Sequence, residues 1–152
     1  MDTAAIMTNV PAPVMVPFKG LVSWSDILDI VATRTMDRFS RTPEITQKYQ
    51  TYFKTHVSRF ASTSDCVKVD ELRFPSYVGE DGLIRAVSLK EAMDQGAVEP
   101  WSLIPNRFPY ATESGIEHFV LWSVGENELP AVDPARKTVP EIHHAHVFVL
   151  TG

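Results

Sequence analysis

A single thiol, Cys66, serves the whole 152-residue chain, so no internal disulfide can staple it and a reducing compartment suits it. Positive charge is also scarce. Lys and Arg number 14 against 19 Asp and Glu, for a formal net charge of −5, and no basic cluster offsets the deficit. That argues against nucleic acid and against an anionic membrane surface as partners. No apolar run approaches the roughly 20 residues of a membrane span. Glycines number 7, and none builds a phosphate-cradling loop or a Gly-x-Ser-x-Gly elbow, which argues against P-loop and hydrolase chemistry. Met1-Asp2 supplies no basic leader, and Pro11, Pro13 and Pro17 interrupt the first apolar stretch, so no secretory signal is expected. The expected location is cytoplasmic, or cytoplasmic and nuclear. Oligomeric state is left open.

Hydrophobic residues make up 44% and charged ones 22%, the balance of one soluble domain with an ordinary core. Residues 1–20 read as a flexible, proline-interrupted arm with Val14, Val16 and Phe18 as its apolar contacts; residues 21–152 read as a single domain. Ser23-Trp24-Ser25-Asp26 opens a helix that Trp24, Ile27, Leu28 and Val31 carry to about Thr33, with Trp24 as a packing anchor. Thr42-Pro43-Glu44 starts a second, running to about Phe60. Its apolar stripe, Ile45, Tyr49, Tyr52/Phe53, Val57 and Phe60, is expected in the core, with His56 on the solvated side. Cys66 to Leu72 is ambiguous between helix and strand, and Pro75 ends it. A turn at Gly79-Glu80-Asp81-Gly82 leads to an edge strand over Leu83 to Val87. Ser88-Leu89-Lys90-Glu91 has capping-box form, giving a short helix closed by Gly96.

Strands dominate the rest: Trp101 to Ile104, then Gly115 to Ser123, then Glu141 to Leu150. The last two are joined by a polar segment, Gly125 to Lys137, that contains Pro130 and Pro134. Helices first and strands afterwards predict an α+β fold, with N-terminal helices packed on a small antiparallel sheet formed mainly by the C-terminal half.

The last strand is the chemically dense one. His144 and His146 share a strand face, while His143 points the other way. Antiparallel pairing with the preceding strand, in a register that sets His118 opposite His146 and Val120 opposite His144, would cluster three imidazoles on an apolar, aromatic-lined face. A register shifted by one residue would destroy the cluster.

Several segments together resemble the fungal N-acetylglucosamine-induced protein family, a domain of unknown function. They are Trp24 at the first helix, Arg41-Thr42-Pro43-Glu44 with Tyr49 and Phe53, Leu72-Arg73-Phe74-Pro75, Ile104-Pro105-Asn106-Arg107-Phe108-Pro109-Tyr110, the strand around His118, Lys137-Thr138-Val139, and His144-Ala145-His146-Val147. The resemblance runs from about Trp24 to Val149. Arg107 stands where the family usually has an acid, His143 where a glutamate is common, and the linker between the histidine strands is short. The resemblance implies positions for a fold and a site rather than a reaction.

Three functions fit these residues. Histidine-triad-like phosphoryl or nucleotidyl chemistry on a small polar or phosphorylated ligand would use His146 as nucleophile and His144 and His118 as its neighbours, although Phe148 replaces the third histidine of that motif. Asn106, Arg107 and Tyr110 would shape the rim, with Arg107 meeting phosphate oxygens and Trp122 lining the pocket. Alternatively, His118, His144 and His146 would ligate one divalent metal ion. In the third reading the domain is structural or protein-binding, and the histidines merely satisfy carbonyls or the Asn106 amide. Cys66, with no basic neighbour in sequence, is not expected to be a nucleophile.

Overall fold

Helices begin where the caps put them. The computed structural model describes residues 16–99, 101–124 and 142–151. Helix α1 spans Trp24–Thr33. Ser23 Oγ accepts from Asp26 N, and the Asp26 carboxylate accepts from Ser23 N, both at 3.1 Å. The Ser23 backbone N–H is the main reason the Asp26 carboxyl titrates below its ordinary range. Helix α2, Pro43–Thr55, is capped by Thr42 Oγ1, which accepts from Ile45 N.

Helix α2 stops short of Phe60. Thr55 Oγ1 donates back to Thr51 O and Ser58 Oγ to Lys54 O, so side chains bind the carbonyls of the last turn. His56 closes the helix as its C-cap, with its N–H donating to Tyr52 O, and Val57–Arg59 forms a 3-10 turn. The ambiguous stretch after it is helical: α3 spans Thr63–Asp70, capped by Ser62. Leu72 and Phe74 are buried beyond it. The expected edge strand is half of a hairpin. Strand β1, Ser76–Val78, pairs antiparallel with β2, Ile84–Ala86, across the Gly79–Gly82 turn. Helix α4, Leu89–Asp94, is capped by Ser88 and followed by Gly96 at φ 65°.

The main sheet has three antiparallel strands in the order β3 (Trp101–Pro105), β4 (Ile116–Ser123), β5 (His143–Leu150). The fold is α+β as expected. The register is not the expected one: His118 faces Phe148, Val120 faces His146 and Trp122 faces His144. The strands are offset by two residues from the anticipated pairing. Thr151 sets this offset, because its N–H and its hydroxyl both donate to Gly115 O, at 2.6 and 3.0 Å. A two-residue shift keeps every side chain on its face, so the histidines still share one surface, now diagonally.

Near the start of the described chain, Lys19 N donates to Ser40 Oγ at 2.8 Å and Val22 bridges to Thr112. Residues 1–15, including Val14, and the segment from Gly125 to Lys137 with Pro130 and Pro134 lie outside the described residues, as does Lys137-Thr138-Val139. Among the described residues no helix is long and apolar enough to cross a membrane.

Candidate functional site

Between the helices and the histidine-bearing sheet face lies a cavity of about 150 Å³. Its floor is Ile104 of β3, Val120 and Trp122 of β4, and His144 and His146 of β5. Tyr49, Tyr52 and Phe53 of α2 and Cys66 and Val67 of α3 form the opposite wall. The loop from Asn106 to Tyr110 and the side chain of Arg41 close one end, and Val16 also reaches it. Six of the seven residues singled out from the sequence thus line one cavity: His144, His146, Asn106, Arg107, Tyr110 and Trp122. Of the expected core stripe, Val57 and Phe60 are buried, while Tyr49, Tyr52 and Phe53 are half-buried and border this space, Tyr52 and Phe53 packing against Val57, Phe60 and Cys66.

His118, the seventh, stands behind the wall. It is buried, its ring 4.4 Å from Phe148 and 4.9 Å from Tyr110 in stacked geometry. Its Nδ1 accepts from Tyr110 N at 3.1 Å. A backbone N–H can only donate, so the proton of the neutral His118 ring sits on Nε2. That nitrogen lies 2.9 Å from His146 Nδ1 and donates to it. Burial above all, then His146 and the Arg41 charge, push the His118 pKa down to about 2, so it is neutral at physiological pH.

The same reasoning runs one ring further. His146 accepts at Nδ1, so its neutral ring carries the proton on Nε2. His144 is the reverse case: its Nδ1 donates to Ile142 O at 3.1 Å, leaving the lone pair of the neutral ring on Nε2. The two cavity histidines, with rings 6.1 Å apart, are therefore set up as one donor and one acceptor. Asn106 is oriented by Phe108 N, which donates to Oδ1 at 2.9 Å, and its Nδ2 then stands 3.4 Å from His118 Nε2. Both nitrogens are donors, so that contact is a close approach.

Two arginines border the cavity in different electrical states. Arg107 donates through Nε and Nη2 to Glu71 Oε1, at 2.9 and 2.7 Å, and its charge is matched there. Arg41 donates Nε to Phe108 O at 2.7 Å, and its guanidinium lies 4.9 Å from the ring centres of both Tyr49 and Tyr110. Among the described residues it forms no ion pair. Its place at the cavity was hidden in the sequence, where Arg41 stands only before a helix cap and in a family-like segment.

His56 is not on a solvated face. It forms a hydrogen bond with Asp70, and its ring lies tilted against Tyr52 and edge-on to Phe60. Cys66 is buried, and burial pushes its thiol up to about 12.

Helices on one face of an antiparallel sheet, with an aromatic cavity and a few converging polar groups between, define a small α+β domain. The particular family follows from comparison. Residues 23–145 match the family model described as "Protein of unknown function (DUF3605)", and the chain belongs to that family, the N-acetylglucosamine-induced protein family. No match is found among curated proteins. The solved structure titled "Crystal Structure of HTC1" is similar in fold, with a TM-score of 0.56, 20% identity and 86% of each chain covered.

Proposed function

We propose that this domain binds a small phosphorylated molecule in the cavity, with Arg41 and His146 as its principal polar anchors. The carrying observation is Arg41: a guanidinium held in a cavity wall by two tyrosine faces, with no carboxylate partner among the described residues. Guanidinium groups recognise phosphate oxygens through paired, charge-assisted hydrogen bonds. The His146 Nε2–H and the Asn106 amide add neutral donors, and His144 offers an acceptor for a ligand hydroxyl. The aromatic walls suit a planar or sugar-like body attached to the anion.

Binding is favoured over phosphoryl transfer by the tautomer of His146. A histidine that attacks phosphorus needs its lone pair at the attacking nitrogen, and His118 holds the opposite arrangement. A three-histidine metal site is disfavoured by the same contacts, since both His118 nitrogens are already used.

The test is calorimetric titration of the protein with inorganic phosphate, sugar phosphates and nucleoside monophosphates, alongside Arg41→Met. Binding by at least one phosphorylated compound and a loss of about tenfold or more in the variant, equivalent to ~1.4 kcal/mol, are expected. No heat with any compound, or equal affinity in a folded Arg41→Met protein, would overturn the proposal.

A further inference from the structure

The end of α2 and one face of α3 bring together three side chains of three ligand classes: an imidazole, a thiol and a carboxylate. His56 Nε2, Cys66 Sγ and an Asp70 oxygen all lie within 4.8 Å of one another. Cys66 and Asp70 are four apart on α3 and therefore project from the same face. His56 is the C-cap residue that closes α2.

We infer that His56, Cys66 and Asp70 form a binding site for a divalent cation of the zinc type, distinct from the three histidines of the sheet. Zinc takes imidazole, thiolate and carboxylate ligands at about 2.0–2.3 Å in tetrahedral geometry, which separates a sulfur ligand from an oxygen ligand by roughly 3.6 Å. Cys66 Sγ and Asp70 Oδ2 are 3.6 Å apart. The His56–Asp70 hydrogen bond has to open for the ion to enter. The partly exposed His56 side chain can rotate to allow it.

Charge also balances. Thiolate, carboxylate and neutral imidazole carry −2 and the cation +2, and binding releases the Cys66 proton to solvent. Tyr52 supplies the supporting contact. Its hydroxyl donates to Asp70 Oδ2 at 3.1 Å and lies 3.7 Å from Cys66 Sγ, so it fixes two ligands. Burial keeps that hydroxyl protonated and hence a donor. Arg107, the nearest cation over the Tyr52 ring, is neutralised by Glu71. Three protein ligands leave a fourth position. Cys66 and Tyr52 border the cavity, so an ion here would sit beside it.

The experiment uses the full chain without a histidine tag, stripped of metal and titrated with Co²⁺, which reports thiolate ligation as a charge-transfer absorption, and with Zn²⁺ in competition with a chromophoric chelator. One equivalent of Co²⁺ with a thiolate band, displaced by Zn²⁺, is expected. Cys66→Ser should abolish the band, Asp70→Asn and His56→Gln should each weaken Zn²⁺ at least tenfold, and Tyr52→Phe should do so by about tenfold. His144→Gln and His146→Gln should leave the band unchanged. Circular dichroism confirms that each variant is folded. A wild-type protein that takes up no Co²⁺, a bound ion without the thiolate band, or loss of metal in the His144 or His146 variant with retention in Cys66→Ser would each overturn the inference.

Discussion

His118 Nε2 donates to His146 Nδ1 across 2.9 Å, from a buried ring to one that lines the cavity. The donor is fixed at its far side by Tyr110 N, so a backbone amide sets the proton position of a cavity residue through an intervening imidazole. His118 is thus a positioning residue, and substitution there reaches the site without removing a group from it.

His118→Phe should keep the packing against Phe148 and Tyr110 while leaving the Tyr110 N–H without its acceptor. A buried donor stranded in this way costs about 1–3 kcal/mol. Urea denaturation should show that loss. Ligand affinity should fall as well, since His146 would no longer be held in one tautomer.

The same ring predicts acid sensitivity. The folded-state pKa of His118 is depressed from an ordinary value of about 6.5 to about 2. The unfolded state therefore takes up a proton that the folded state refuses. The contribution of His118 is complete above pH ~6.5 and falls by about 1.4 kcal/mol per pH unit below it, until the folded pKa is reached. Unfolding free energies measured between pH 7 and 5 should decline, and His118→Phe should reduce the slope by one proton.

The two arginines should separate cleanly. Arg107→Ala removes a partly exposed ion pair with Glu71, worth up to about 1 kcal/mol, and should alter phosphate-ligand affinity much less than Arg41→Met does. Parallel titrations of the two variants check this. Equal losses would place the anion at Arg107.

Gly115 adopts φ 84°, and a Cβ there would meet Thr151 O at 3.2 Å. Gly115→Ala should cost about 1–2 kcal/mol for left-handed backbone alone, and more where the Thr151 contacts that set the register are disturbed. Thermal melts would register the loss, and a shifted register would appear as altered amide-exchange protection in β4 and β5.

What could be read in advance follows the range of the interaction. Ser23, Thr42 and Ser88 cap helices through bonds three residues long; the roles of Thr42 and Ser88 were legible in the chain, and the first cap lay with either Ser23 or Ser25. The alternation of His144 and His146 with apolar residues likewise gave their shared face. The two-residue register offset was not legible, because every same-face pairing satisfies that alternation and Thr151 makes the choice from 36 residues away. The β1–β2 hairpin was only half visible, since β1 is three exposed residues with no buried face to pattern it. Arg41 and His56 gain their surroundings from residues 67 and 14 positions distant, which no local spacing encodes.

Because β5 is an outer strand and supplies both cavity histidines, the floor of the site is finished only after every other described element has been synthesised. A growing polypeptide that has made α1 through β4 already owns the aromatic wall and Arg41, yet still lacks the donor and acceptor that would hold a ligand. A partly made chain that stops at β4 therefore has no ligand-stabilised state built on these two histidines. Any stabilisation by a ligand held on His144 and His146 must come after β5 has docked against β4.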